Sequence, residues 1–272
     1  VGIIGASKGI GRLLFESQRE NNIEVTGVSR QKGDVIVSKR SRYFEIDARH
    51  SLKLKTALES HETIVHCTQP VILTDFLSSG PEIKRLIAVG STRLFSKFED
   101  KKARDIRSMA EKIWRSKINA TLIHPTLTYG APGSNNVERI VRFCSLSPLI
   151  PIPKEGNTLI QPVSASDLLQ GLLKCLKDDR TIGRTIIASG GRSLNYKTFI
   201  EACASYAGKK TKVILFPSPA MKILARFTRL IPGIPSIDPS ELERLFENKD
   251  FSSNEFGKLL GRAPLTFSET PD

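Results

Sequence analysis

The sequence has no Cys-x-x-Cys pair and no histidines at paired metal-ligand spacing. Its four cysteines, Cys67, Cys144, Cys175 and Cys203, lie far apart. That argues against a zinc site or a disulfide framework, and for buried free thiols in a reducing compartment. No metal is expected. No apolar run approaches the roughly 20 residues of a membrane span, and no signal peptide is legible. Internal repeats and low-complexity tails are also missing. Aromatic residues make up only 7% of the chain, and no nucleic-acid motif accompanies its basic charge. Nucleic acid is therefore not an expected partner. Together these absences predict a cytoplasmic protein without a transmembrane segment.

What is present is charge of one sign and enough apolar residue for a core. The net charge of +13 favours anionic partners such as dinucleotides, nucleotide-sugars or acidic membrane surfaces. With 272 residues, 39% of them hydrophobic, the chain can form one large α/β domain or a domain with a smaller lobe.

The first thirty residues organise the rest. An apolar strand (Val1, Ile3, Ile4) runs into Gly5-Ala6-Ser7-Lys8-Gly9-Ile10-Gly11, then a helix, then a second strand Val25 to Arg30. A strand feeding a glycine-rich turn and a helix places backbone N–H groups and a helix N-terminus before a phosphate. Gly5 allows the tight turn, Gly9 a close approach of pyrophosphate, and Gly11 close packing of helix on strand. Three glycines alone are weak evidence, but here strand and helix lie on the correct sides.

The end of the second strand bears on the nucleotide. NAD-selective sites place Asp or Glu there, on the ribose 2′-hydroxyl. This chain has Ser29, Arg30 and Gln31. Arg30 suits a 2′-phosphate, Ser29 adds a hydroxyl, and Lys8 is a second cation, so NADP(H) is the expected cofactor. The competing reading of each cation is a solvated surface charge.

Further along, strands are expected at Tyr43–Asp47, Thr63–Cys67, Ile83–Val89, Ala120–Ile123 and Thr185–Ala188, with helices at Ser51–Leu58, Ala103–Trp114, 135–143, Asp167–Leu176 and Tyr196–Tyr206. Either Ser164 or Ser166 can cap the Asp167 helix. Pro148 to Pro153 reads as a loop, Val213–Phe216 as a short strand, and Pro219–Leu230 as a basic amphipathic helix, either packed on the lobe or lying on a membrane surface. The alternation predicts an α/β fold with a doubly wound parallel Rossmann sheet and a smaller C-terminal substrate lobe. Residues 1–130 form the dinucleotide-binding domain. Residues 131–272 form mainly the lobe, with 157–190 returning to the sheet. Asp47, at a strand end, can meet an adenine amino group or simply form a turn. Thr68-Gln69-Pro70 lies at the carboxyl edge of the sheet, where ligands of such sheets bind.

These residues resemble the extended or atypical short-chain dehydrogenase/reductases, the NAD-dependent epimerase/dehydratase group, over nearly the whole chain. The likeness rests on the glycine turn, Asp47, Ile64 to Cys67, Gly90-Ser91-Thr92, Ala110-Glu111 and Gln161-Pro162-Val163-Ser164-Ala165-Ser166-Asp167. It rests also on His124-Pro125-Thr126-Leu127-Thr128-Tyr129-Gly130, similar to the family's Arg-Pro-x-x-x-Tyr-Gly. The resemblance implies a nucleotide-sugar or similar small-molecule substrate, with epimerase or oxidoreductase chemistry. It implies that the cofactor rests on Gly5, Ser7, Lys8, Gly9, Ile10, Gly11, Ser29, Arg30, Asp47, Cys67, Thr68, Pro125 and Thr126. The alternative is a catalytically silent structural or redox-sensing protein, like the NADPH-binding accessory subunit of respiratory complex I. The basic surface leaves peripheral membrane or complex association open.

Two departures stand out. The Gly5-x-x-x-Gly9-x-Gly11 spacing is that of the single-domain branch of the family, where a basic residue before the second glycine accompanies NADP preference. The family's Tyr-x-x-x-Lys pair is also missing. Anchored on Ala110-Glu111, its positions fall on Ala103 and Arg107; a shifted frame gives Phe98 and Lys102. Tyr206-x-x-x-Lys210 has the spacing but lies far downstream. The catalytic candidates that remain are Ser91, Thr92 and Arg107. Arg107 can bind ribose hydroxyls but is always charged and cannot donate a proton in catalysis. His124 is a substitute titrating group, or a histidine packed at a strand end. Tyr129 follows the sixth strand and could enter the pocket.

Overall fold

The structure, a computed structural model, describes residues 1–133, 137–153, 158–209, 212–217 and 247–267. Its centre is a seven-stranded sheet of β1 (Gly2–Ile4), β2 (Val25–Ser29), β3 (Ser41–Glu45), β4 (Thr63–His66), β5 (Arg85–Val89), β6 (Asn119–Pro125) and a later strand, β11 (Thr185–Ala188). The order is β11-β6-β5-β4-β1-β2-β3, and every pairing is parallel. The strand order reverses between β1 and β4, so the crevice beyond their carboxyl ends is the topological switch point, where ligands of open α/β sheets bind.

Both faces of the sheet are apolar because helices cover both. On one face, α1 (Gly9–Glu20) buries Gly11, Leu14, Phe15 and Gln18, a helical stripe that packs with α6 (Ala165–Lys177) and the last described helix, α8 (Asn254–Leu260), over Ile3, Val65, Ile87 and Ile123. On the other face, α2 (Ser51–Leu58), α3 (Pro70–Ser78) and α4 (Lys101–Arg115) enclose Ile4, Ile64, Leu86 and Leu122. A third cluster forms the lobe, where α5 (Val137–Leu146) and α7 (Tyr196–Tyr206) pack with Ile150, Ile160 and Phe267.

Short ladders complete the lobe. β7 (Thr128–Tyr129) pairs with β10 (Val163–Ser164), and β9 (Leu159–Ile160) with β12 (Leu194–Asn195). The stretch read as a proline-rich loop is a strand, β8 (Leu149–Pro153), parallel to β13 (Lys212–Phe216). The Lys212 N–H donates to the Pro148 carbonyl, so the even-numbered backbone groups face β13. Pro151 and Pro153 turn their missing donors outward, and the ladder loses nothing.

Other boundaries shift for local reasons. β3 runs Ser41–Glu45, two residues earlier than expected, because Asp47 closes a turn on Arg49 and cannot continue the ladder. The helix α3 was not expected, since Val71, Ile72, Leu73, Phe76 and Leu77 form too broad an apolar band to show a period; Pro70 at its start is the overlooked signal. Ser164, not Ser166, caps α6, accepting the Asp167 N–H at 3.0 Å. The helix expected from 135 begins at Val137 among the described residues. The Pro219–Leu230 helix and Lys210 lie outside the described residues. No helix among the described residues is long and apolar enough to cross a membrane.

Candidate dinucleotide and substrate site

The glycine turn is built by conformation and by close approach. Gly5 and Gly9 have φ of +92° and +57°, a region costly for a residue with Cβ. A Cβ on Gly11 would lie 2.3 Å from the Gly5 carbonyl oxygen, so only glycine lets α1 seat against the turn. Any Cβ at Gly9 would face open space, and glycine there answers to the dihedral angle. Lys8 occupies the N-cap position and cannot accept a hydrogen bond. The N–H groups of Ile10 and Gly11 precede the first internal bonds of the helix and carry no partner among the described residues. The Gly9 N–H donates to the Pro132 carbonyl at 2.7 Å, and Gly133 packs on the stem of Lys8. A loop entering the lobe therefore rests on the phosphate turn. Uncapped donors at the positive end of a helix dipole, reached by a glycine turn, fit a dinucleotide pyrophosphate.

Around this turn, Lys8 and Arg30 are exposed. Ser29 is buried, and its hydroxyl donates to the Gln31 carbonyl at 2.6 Å, so the 2.7 Å contact with Tyr43 is donated by the phenol. Ser7 stands beside the same phenol, whose pKa burial raises. A third cation, Arg12, joins the rim but is paired with Glu16 and with Asp34 at 2.6 Å. No local pattern points to this ion pair, because Asp34 comes from the loop beyond Arg30. Asp47 gives its carboxylate to Arg49, which holds that carboxyl well below the usual range. Cys67 and Thr68 lie against Gly5, and burial pushes the Cys67 thiol up to about 12.

Beyond the end of β5, the chain turns through a short 3-10 helix, Thr92–Phe95. The Ser91 oxygen caps it by accepting the Arg93 N–H at 3.2 Å, which leaves the Ser91 hydroxyl proton free to donate elsewhere. Thr92 donates to the Pro125 carbonyl at 3.4 Å, and Thr126 bonds Ala188. His124 is wholly buried. Its Nδ1 accepts the Ser91 N–H at 3.1 Å, its Nε2 has no partner among the described residues, and burial lowers its pKa to about 4. Its ring lies edge-on to Phe95. A neutral imidazole sealed in this way props up the Ser91 turn, and the packed-histidine reading is the one its surroundings favour. Tyr129 stacks edge-on against Phe267 in the lobe.

On α4, Ala103 is buried and offers no polar atom, while Arg107 is half-exposed and paired with Glu99 at 2.5 Å. The helix that carries the acid/base pair in the resembling family supplies neither member here.

The sequence did not single out Arg93, Glu247 or Lys249, because residues 247–251 belong to no motif. The structure lays this segment between the 3-10 helix and the lobe. The Glu247 carboxylate accepts the Ser96 hydroxyl at 2.7 Å and the Lys97 N–H at 2.5 Å. The Lys249 N–H donates to the Leu159 carbonyl at 2.8 Å, and the Phe251 N–H to the Gln161 side chain at 2.7 Å. Among the described residues, no group of three or more metal-ligating side chains is found.

Solved structures with this architecture are numerous. A nucleoside-diphosphate-sugar epimerase from Staphylococcus aureus superposes with a TM-score of 0.75 at 13% identity, over 98% of this chain and 97% of that one. The chain has the fold of the nucleotide-sugar epimerases. A UDP-glucuronic acid 4-epimerase from Bacillus cereus, solved with UDP-glucuronic acid and NAD, gives 0.68 at 14% identity over 96% of each chain. The UDP-glucose 4-epimerase of Thermotoga maritima, solved with UDP-glucose, gives 0.64 at 12% identity, covering 79% of this chain and 85% of its own. No protein-family model and no curated protein sequence matches the chain. The epimerase fold is therefore shared without close sequence kinship.

Proposed function

We propose that the chain binds NADP(H) and acts on a nucleotide-sugar or a similar small molecule, as an oxidoreductase or epimerase that works without the Tyr-x-x-x-Lys pair. The observation that carries this reading is the uncapped N-terminus of α1 behind two positive-φ glycines, with Lys8 and Arg30 exposed at its rim and no acid at the end of β2. The neighbours solved with NAD and with UDP-sugars support the same class of ligand.

When bound, the dinucleotide supplies hydride transfer at its nicotinamide. The chain's own residues bind and orient. Ile10 and Gly11 N–H groups hold pyrophosphate oxygens, and Lys8 with Arg30 neutralise a 2′-phosphate. Ser29 shapes that corner through Gln31 and Tyr43 and leaves the phosphate to the two cations. Thr68 and Pro125 border the crevice. Ser91 offers its free hydroxyl proton to a substrate oxygen.

Calorimetric titration of nucleotide-stripped protein tests this. NADPH is expected to bind at least ten-fold more tightly than NADH, and Arg30→Asp to reverse the order, since a charge-assisted hydrogen bond is worth roughly 1.5–3 kcal/mol and the variant sets a carboxylate against a phosphate. Equal affinities in the unmodified protein would refute the 2′-phosphate assignment. Binding of neither dinucleotide would refute the reading as a whole.

A further inference from the structure

Three cations without acid partners gather at one edge of the sheet, at the end opposite the dinucleotide crevice. β3 is the outer strand, so one of its edges is open among the described residues. The register sets Val25 beside Ser41, and the Val25 N–H donates to the Arg40 carbonyl at 3.1 Å. Lys39, Arg40 and Arg42 therefore sit at the amino end of the β2–β3 pair. The glycine turn serves the carboxyl end, roughly 16 Å of strand away. The three cations line a cleft of about 310 Å³ with Glu24. All three are exposed, and none has an ion pair among the described residues.

Acids are present in this region, but they are spent. Asp34 pairs with Arg12 at 2.6 Å and Asp47 with Arg49 at 2.5 Å, while Glu45 accepts the Lys32 N–H at 2.8 Å. Glu24 is the one acid lining the cleft, and it makes no ion pair with the cations. The cleft keeps a surplus of positive charge, a field that draws anions.

The same edge exposes apolar side chains. The connection from β2 to β3 contains neither helix nor strand. Val35, 3% exposed, anchors it in the core beside α1. Arg19 on α1 donates to the Ile36 carbonyl at 3.2 Å, and the Ser38 N–H to the Ser41 hydroxyl at 2.6 Å. On this pinned backbone Ile36 and Val37 turn outward, 66% and 41% exposed. Phe44, two residues beyond Arg42 and so on the same face of β3, is 38% exposed. A single exposed apolar residue is ordinary. Charge on an open strand edge deters pairing with other chains, but Ile36, Val37 and Phe44 do not serve that purpose. Unpaired cations flanked by outward apolar groups match a surface that offers phosphate charge and hydrocarbon together.

We propose that this edge docks on a membrane containing anionic phospholipid. A headgroup phosphate enters the cleft of Lys39, Arg40 and Arg42, while Ile36, Val37 and Phe44 enter the interfacial layer. Docking there leaves the crevice, at the other end of the strands, open to water. The inference does not depend on the reading given under Proposed function.

Co-sedimentation of the full chain with vesicles tests it, using phosphatidylcholine alone and phosphatidylcholine mixed with phosphatidylglycerol. The mixed vesicles should bind about ten-fold more tightly or better. Each Lys or Arg near an anionic surface multiplies affinity about five-fold, so Lys39→Gln, Arg40→Gln and Arg42→Gln, made together, should lose about twenty-fold or more on the mixed vesicles. Ile36→Ser with Val37→Ser should lose about five-fold or more, through apolar contact alone. Lys101→Gln, Arg104→Gln and Arg115→Gln remove three exposed cations from α4. That control should change binding less than about three-fold, because salt screens charges beyond about 10 Å. Thermal unfolding verifies that each variant folds. Equal binding to both vesicles overturns the proposal. An equal loss in the α4 variant also overturns it, since net charge would then be the cause. So does an RNA oligonucleotide that binds through the same three cations as tightly as the vesicles, with no effect of Ile36→Ser and Val37→Ser, since the edge would then be a site for soluble polyanions.

Discussion

Arg85→Met is expected to lower the unfolding free energy by about 3–5 kcal/mol, the largest effect of any single substitution considered. Arg85 starts β5, at the end of the sheet away from the crevice, and is only 8% exposed. It has no carboxylate partner among the described residues. Instead its Nη1 donates to the Asn119 carbonyl at 3.1 Å, and its Nη2 to the Thr121 hydroxyl at 2.6 Å, the Thr181 hydroxyl at 2.8 Å and the Cys175 carbonyl at 3.1 Å. Thr121 and Thr181 are themselves committed as donors, to the carbonyls of Thr181 and Asp178. Each hydroxyl oxygen therefore turns a lone pair to the guanidinium, although the Thr121 hydroxyl also lies 3.2 Å from that of Thr181. Cys175 lies in the last turn of α6, whose dipole is negative at that end. The charge is thus held by carbonyl and hydroxyl oxygens, with Asp179 near enough to favour it but in no direct ion pair. Methionine matches the volume but leaves these acceptors buried and unpaired. Arg85→Lys should recover part of the loss, having three donors and no planar fork. Denaturant unfolding measures both, and a loss under 1 kcal/mol for methionine would mean that water replaces the guanidinium.

Acidification from pH 7 to pH 5 should cost about 3 kcal/mol of stability. His66 and His124 are both fully buried, and burial lowers each pKa from its usual 6.5 to about 4. At pH 5 the unfolded chain binds protons on these residues and the native chain does not. Stability therefore rises with pH across this window and is lost as pH falls from about 6.5 toward 4. His61, also lowered chiefly by burial, acts in the same direction. The depressed carboxyls Asp34, Asp47 and Asp178 titrate below this window and leave it unchanged. His124→Gln keeps an acceptor for the Ser91 N–H and should remove about half the slope. Thermal unfolding between pH 7 and 5 is the measurement, and a flat profile would contradict the burial of both rings.

Much of this architecture could be read from the residues. The glycine turn, the helices Ser51–Leu58 and Tyr196–Tyr206, the strand Thr185–Ala188 and the parallel sheet all follow from apolar period and punctuation. The helix α3 did not, because a helix apolar on most sides shows no period. Nor did β8, because alternate prolines imitate a loop. For the site, local sequence identified the turn and the empty Tyr-x-x-x-Lys positions. It could not foresee that Ser29 spends its proton on Gln31, that Asp34 reaches back to Arg12, or that Glu247 accepts from Ser96 and Lys97. Those contacts join residues separated by a loop or by most of the chain, and no local pattern records them.

The position of β11 bears on how the chain can be divided. β11 is the partner of β6 on its outer side, matching Thr185 to Leu122 through Ala188 to Pro125, yet α5 of the lobe and α6 come between the two strands in the chain. A fragment cut at residue 130 would keep the glycine turn and six strands but leave β6 as a bare, apolar border of unpaired amides, the kind of edge that recruits other chains. The strand that returns after the lobe is thus the sheet's own insulation, and the first 130 residues are not a portable unit.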